Sequence, residues 1–302
     1  MPRTTTFANI GTDITGLKTS EEVLNTAGLN YNVVKKPMFL LDDEANPVEY
    51  QDKKFTVVEG TNRVLGVVSS KYEVCQNRDA FNFIDYIGGD EVGFEYVKAG
   101  ETKSGLVYII AKIPNVTLLG DTITPYIIFQ NSHDGLNSVK ATISPLRIVC
   151  QNQFNVSFKQ SSNTVRIVHS SQMDRRMLTA REMMRDVAAY METFEETAED
   201  LVTKKVGYAD VIKVFDEVFK YKPEKMSERQ KRTFEDARND FLACYNSDDN
   251  QNFKGTAWGV MNGAADYLTH HKSVRKASPE SIFVNTTLLA TTLNQIFKRV
   301  SV

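Results

Sequence analysis

The hydrophobic period of this chain changes near residue 170, and that change constrains the fold more than any other feature. Ahead of it, apolar residues fall in short runs or alternate with polar ones, as in residues 31–40, 55–58, 62–68, 92–97, 105–113 and 122–130. Turn-forming residues bound these runs, and such segments read as strands of hairpins. Beyond it, Met173, Met177, Ala180, Met184, Val187, Ala188, Met191 and Phe194 recur at nearly helical spacing. The expected class is therefore α+β: an antiparallel β-rich N-terminal part with an embedded helix, followed by a helical C-terminal part. The expected division is an N-terminal arm over 1–30, a β-rich domain over 31–170, and a helical region over 171–302 packed on it.

Local signals place the elements more closely. Thr19 or Ser20 can cap a short helix over 21–27 that stops at Gly28. The strands 92–97 and 105–113 are expected to join through a hairpin turn at Ala99-Gly100-Glu101. Ala80, Phe81, Phe83, Ile84 and Ile87 mark the embedded helix, with Asn77 as its cap and Gly88-Gly89 as its stop. The last β signal is 165–169. Helical patterns then occupy 208–219, 227–244, a stretch opening near Thr256, and 283–297. Dinucleotide-binding G-x-G-x-x-G, a phosphate loop, H-E-x-x-H and G-x-S-x-G are all missing from the sequence.

Net charge is -2, which excludes a globally basic nucleic-acid binder but leaves room for a local basic face. The longest apolar runs are too short to cross a bilayer, and the N-terminus lacks a secretory pattern. The three cysteines, Cys75, Cys150 and Cys244, form neither a disulfide framework nor a C-x-x-C hook. They read as reduced, buried cysteines of a cytoplasmic protein, with no cofactor and no metal signature.

Four constellations carry what chemistry the sequence offers. Cys75-Gln76-Asn77 recurs as Cys150-Gln151-Asn152; the amides could read a ligand, but the favoured account is a strand end with Asn77 and Asn152 capping helices. Gln130-Asn131-Ser132-His133-Asp134-Gly135 is a polar loop whose Ser, His and Asp, being adjacent, cannot form a relay. Gln130, Asn131, His133, Asp134, Gln151 and Asn152 are thus candidates for a ligand-binding or structural polar loop. The third is a basic run of Lys159, Arg166, His169, Arg175, Arg176, Arg181 and Arg185. Residues 159–185 hold six Lys/Arg against Asp174 and Glu182, a local +4 in a chain of net -2. Its arginines open a helix and so oppose the helix dipole, which assigns them no role in stabilising it. These seven residues are the candidate nucleic-acid surface. The fourth is residues 255–270, where small residues on one face and Trp258 suit close helix packing, and Asp266 and His270 could pair at i,i+4.

With those residues in view, the chain resembles the phage- and plasmid-associated family known as domain of unknown function 932. The resemblance rests on Gly66-Val67-Val68-Ser69 with residues 72–77, on Ser132-His133-Asp134-Gly135, on residues 147–152 and on residues 256–270, and spans roughly 55–275. It implies a phage, prophage or plasmid protein in the cytoplasm of a bacterial host, and no catalytic residues come with it. It also implies a link to phage DNA metabolism of the kind that single-strand annealing proteins serve. The expected function is non-enzymatic nucleic-acid binding, with single-stranded DNA and further copies of the chain as candidate partners and no membrane. The alternative is a protein- or small-ligand-binding phage accessory factor, such as a counter-defence protein.

Overall fold

The computed structural model describes residues 10–82, 84–85, 94–147, 152–153, 164–167, 187–271 and 286–301. Its front part is two antiparallel sheets and its rear part is helical, in the order the hydrophobic period implies. A short strand β1 (Thr12–Asp13) is followed by helix α1 (Ser20–Thr26). Thr19 caps α1 reciprocally with Glu22, satisfying backbone N–H groups at both ends of the box. Three strands, β2 (Val33–Leu41), β3 (Pro47–Val58) and β4 (Val64–Ser69), then form a small sheet in that order.

After the embedded helix α2 (Asn77–Phe81) comes the large sheet. Its strands are β5 (Glu95–Glu101), β6 (Val107–Lys112), β7 (Val116–Leu118), β8 (Asp121–Asn131), β9 (Val139–Arg147), β10 (Asn152–Gln153) and β11 (Thr164–Ile167). The sheet order is β1-β5-β6-β8-β9-β10, with β7 also on β8 and β11 also on β9. Alternation along β6, β8 and β9 sends Val107, Ile109, Ile127, Phe129, Ala141 and Ile143 into the main core. Tyr108, Ile110 and Ile128 point to the other face, where Ile10 joins them in a second apolar cluster.

One hairpin turns elsewhere than expected. Ala99-Gly100-Glu101 stays inside β5, opposite Ile109, Tyr108 and Val107 of β6. A Cβ at Gly100 would lie 2.6 Å from the Tyr108 hydroxyl oxygen, so this glycine serves a close cross-strand approach. The turn falls at 102–106, where Gly105 takes a φ of +81° and its N–H bonds the Thr102 carbonyl.

The helical part contains α3 (Val187–Thr203), α4 (Tyr208–Val218), α5 (Glu228–Tyr245), α6 (Ala257–Asp266) and α7 (Thr286–Val300). Ser227 and Gln230 cap α5 reciprocally, and Thr256 caps α6 through Gly259 N–H. Phe215 of α4 sits among Phe219, Phe234, Phe241 and Tyr267, with ring centroids 4.4–5.8 Å apart. α6 is buried along its whole length, its Trp258 set edge-on to Phe194 and Phe253. The start of the long helix expected from residue 172 lies outside the described residues. No helix among the described residues is long and apolar enough to cross a membrane.

Candidate functional site

The polar loop after β8 lies where the two sheets meet. Continuing the β8 alternation past Ile127 and Phe129 aims Asn131 at the core, and the chain then leaves the sheet. Asp134 shapes that exit: its carboxylate accepts from the N–H groups of Leu136 at 2.8 Å and Asn137 at 3.0 Å, and from Asn137 Nδ2 at 2.8 Å. Partial burial by itself pushes this carboxyl up. The hydrogen bonds from Leu136 and Asn137 outweigh burial and hold it below the usual Asp range. The loop rests on β4 so tightly that a Cβ at Gly66 would come within 2.5 Å of Asp134 Cα.

Buried and part-buried hydrogen bonds complete the seam. Thr56 Oγ1 of β3 donates to the His133 carbonyl at 2.6 Å, and the Tyr72 hydroxyl donates to the Ser132 carbonyl at 3.3 Å. Asn77 Nδ2 donates to the Leu29 carbonyl at 2.8 Å, which fixes its amide so that Oδ1 faces the loop. That oxygen accepts from Asn131 Nδ2 at 2.9 Å and lies 3.1 Å from His133 Nε2. An acceptor at that position requires the proton on Nε2, so the network selects the His133 tautomer. Asn131 Nδ2 also reaches the Cys75 carbonyl at 3.2 Å. Gln76 clamps Val33, accepting from its N–H and donating to its carbonyl, both at 2.8 Å.

The first Cys-Gln-Asn is therefore not a helix cap. Gln76 occupies the N-cap position of α2 without a side-chain cap bond, and Asn77 spends its amide on α1's exit and on the β8 loop. Asn152 likewise opens β10, paired with Arg147, rather than capping a helix. Ser132, His133 and Asp134 make no Ser-His-Asp relay: His133 turns away to Asn77, while Ser132 Oγ accepts from the Asp134 N–H at 3.4 Å and Asp134 holds its own turn. Asn131, Ser132 and His133 are all buried, so the loop joins sheets instead of lining an open cleft. Thr56, Tyr72, Gln76 and Asn77 belong to this site although their spacing announces nothing. The signal available was a group of amides next to apolar runs, which have to find partners once buried.

Gln130 points to the opposite face of β8, also buried, and stands in register with Tyr108 of β6 and Lys140 of β9. Lys140 is in turn opposite Arg166 of β11. Residues opposed on antiparallel strands share a face, so Gln130 and Lys140 occupy one row. Lys159, His169, Arg175, Arg176, Arg181, Arg185 and Gln151 lie outside the described residues. In the helical part, a cleft of about 460 Å³ is lined by Lys204, Lys205, Lys213 and Arg299 against Asp210 and Glu217.

A two-sheet, β-then-helix protein whose central seam is a buried amide–histidine network is the class that fold and site define. Residues 64–289 match the family described as "Domain of unknown function (DUF932)", and the chain belongs to that phage- and mobile-element-associated family. The matched region runs from β4 through the seam to the start of α7. No curated protein and no solved structure shows significant similarity to the chain.

Proposed function

We propose that this protein is a non-enzymatic nucleic-acid-binding factor of phage or mobile-element origin, acting on single-stranded DNA in recombination or replication in the host cytoplasm. The supporting observation is the register that sets Arg166 opposite Lys140. That pairing sets Arg166, one residue of the basic run, beside Lys140 on the large sheet. A phosphate chain laid along β9 and β11 would bring its charge against both positions. The cleft around Lys205 and Lys213 is a second cationic feature, on the helical side. Anisotropy of a labelled single-stranded oligonucleotide tests the reading. Binding is expected at about 50 mM salt and should weaken steeply as salt rises. Arg175→Glu with Arg176→Glu should remove most of it, whereas Lys205→Glu with Lys213→Glu reports on the cleft alone. Absence of binding by the folded wild type at low salt refutes the proposal.

A second reading has its own observation. The small sheet leaves an unusual set of apolar side chains in solvent: Phe39 at 54%, Leu41 at 71% and Val48 at 52% toward the β2–β3 tip, and Val64 and Val67 on β4. Exposed apolar patches of this kind mark association surfaces, so the hairpin suits a protein partner or a further copy of the chain. Sedimentation equilibrium of wild type against Phe39→Lys with Leu41→Lys separates the two. An assembly lost in the double variant supports self-association, and a wild-type monomer at all concentrations rejects it.

A further inference from the structure

We propose that Cys244, Asp266 and His271 form a binding site for a single transition-metal ion, of which zinc fits best, inside the helical region. Cys244 lies on a different helix from Asp266, and His271 follows Asp266 by five residues, so the meeting of all three depends on two local features. The first is the crossing of α5 and α6. A Cβ at Gly263 would stand 2.7 Å from Tyr245 Cα, so the two helix backbones run in close contact beside Cys244. The second is a π-helical turn over Tyr267–His271 that follows α6. In an uninterrupted α-helix, residue i+5 lies about 140° around the axis from residue i, and Asp266 and His271 would diverge. A π turn widens the helix so that i+5 falls above i, and such turns recur at functional sites. Here it brings an imidazole of the turn over the last carboxylate of α6.

The result is a thiol, a carboxylate and an imidazole whose ligand atoms all lie within 4.8 Å of one another. Three atoms at that limiting spacing put their common centre about 2.8 Å from each, so shifts of about 0.5–0.8 Å reach zinc bond lengths of about 2.0–2.3 Å. Cys244 and Asp266 are buried, and the Nε2 atom of His271 is itself shielded from solvent and has no hydrogen-bond partner. Asn262, one helical turn before Asp266, is 2% exposed with both amide atoms unpartnered. Buried polar atoms without partners cost stability, and a metal with its bound water would give this side of α6 the partners it needs. Mixed sulfur, nitrogen and oxygen donors favour zinc over magnesium or calcium, which prefer all-oxygen shells. Three protein ligands would also leave a coordination position for water or a further ligand.

Cobalt(II) titration of the chelator-treated, full-length protein provides the test, because a cysteine–cobalt bond gives a near-ultraviolet charge-transfer band that oxygen and nitrogen ligands do not. The expected result is one cobalt per chain, displaced by zinc. Cys244→Ser and His271→Ala should each weaken binding by about 100-fold or more, and Cys75→Ser should leave it unchanged. No charge-transfer band in the folded wild type at about tenfold excess of cobalt overturns the proposal, whatever the variants do. A band that survives Cys244→Ser, with circular dichroism showing a folded chain, overturns it equally.

Discussion

Replacing Asn77 with alanine should be among the most damaging single changes in the front part of the molecule. The side chain donates to the Leu29 carbonyl and presents its oxygen to Asn131 and His133, at a position 1% exposed. Truncation strands the Leu29 carbonyl and removes the Asn77 partner of His133 Nε2, while Asn131 Nδ2 keeps its bond to the Cys75 carbonyl. Each buried polar group left without its partner costs about 1–3 kcal/mol, so the expected loss for the two is about 2–6 kcal/mol. That is a large share of the roughly 5–15 kcal/mol by which a folded domain is stable. Urea unfolding followed by far-ultraviolet circular dichroism reads the change. Asn77→Ala and His133→Ala should be strongly non-additive, with a coupling of about 1 kcal/mol or more, since they share one contact. A loss below about 1 kcal/mol for Asn77→Ala, or simple additivity in the cycle, would refute the idea that this network binds the sheets together.

Other consequences are open to direct measurement. Gly66→Ala pushes a methyl against Asp134 Cα, and overpacking of this kind should cost about 1–3 kcal/mol; an unchanged unfolding midpoint would contradict the contact. Ser227→Ala removes the α5 cap and should cost about 1 kcal/mol, with Thr as the conservative rescue in the same unfolding assay. Asp13 is held down to about 2, from the usual 3.8, first by its hydrogen bond from Lys98 and then by the Thr15 N–H. Its folded-state value is depressed, so its contribution is present above pH 3.8 and is lost as pH falls through about 2. Carboxylate NMR should place the Asp13 midpoint near the lower value, and Lys98→Met should return it toward the ordinary range; a wild-type midpoint already there would exclude the pair.

Much of the fold was legible because it rests on periodicity. The switch from strands to helices, the Thr19 cap and the run that became β8 all follow from local side-chain chemistry. The missed hairpin turn shows where that reading fails. Gly100 resembles a turn residue until Tyr108 is placed across from it, and only pairing reveals that the glycine makes room for a ring. Asn77 misleads for a similar reason: an amide before a helix looks like a cap, yet its partners are Leu29 and Asn131, far away in sequence. The Cys244, Asp266 and His271 cluster was beyond sequence reading, because i,i+4 spacing pairs Asp266 with His270 and only a π turn substitutes His271.

The seam between the sheets also sets an order of events during synthesis. The small sheet is complete by Ser69, but its inner face is fastened by atoms of residues 132–134: Thr56 waits for the His133 carbonyl and Tyr72 for the Ser132 carbonyl. These contacts span 77 and 60 residues, and such long loops close slowly. A ribosome must therefore release the chain past β8 before the early strands can lock. Until then Val68, which the loop at Gly135 covers in the folded chain, lies open beside an unfastened sheet, and such exposed apolar surface is what draws chaperones to a nascent chain.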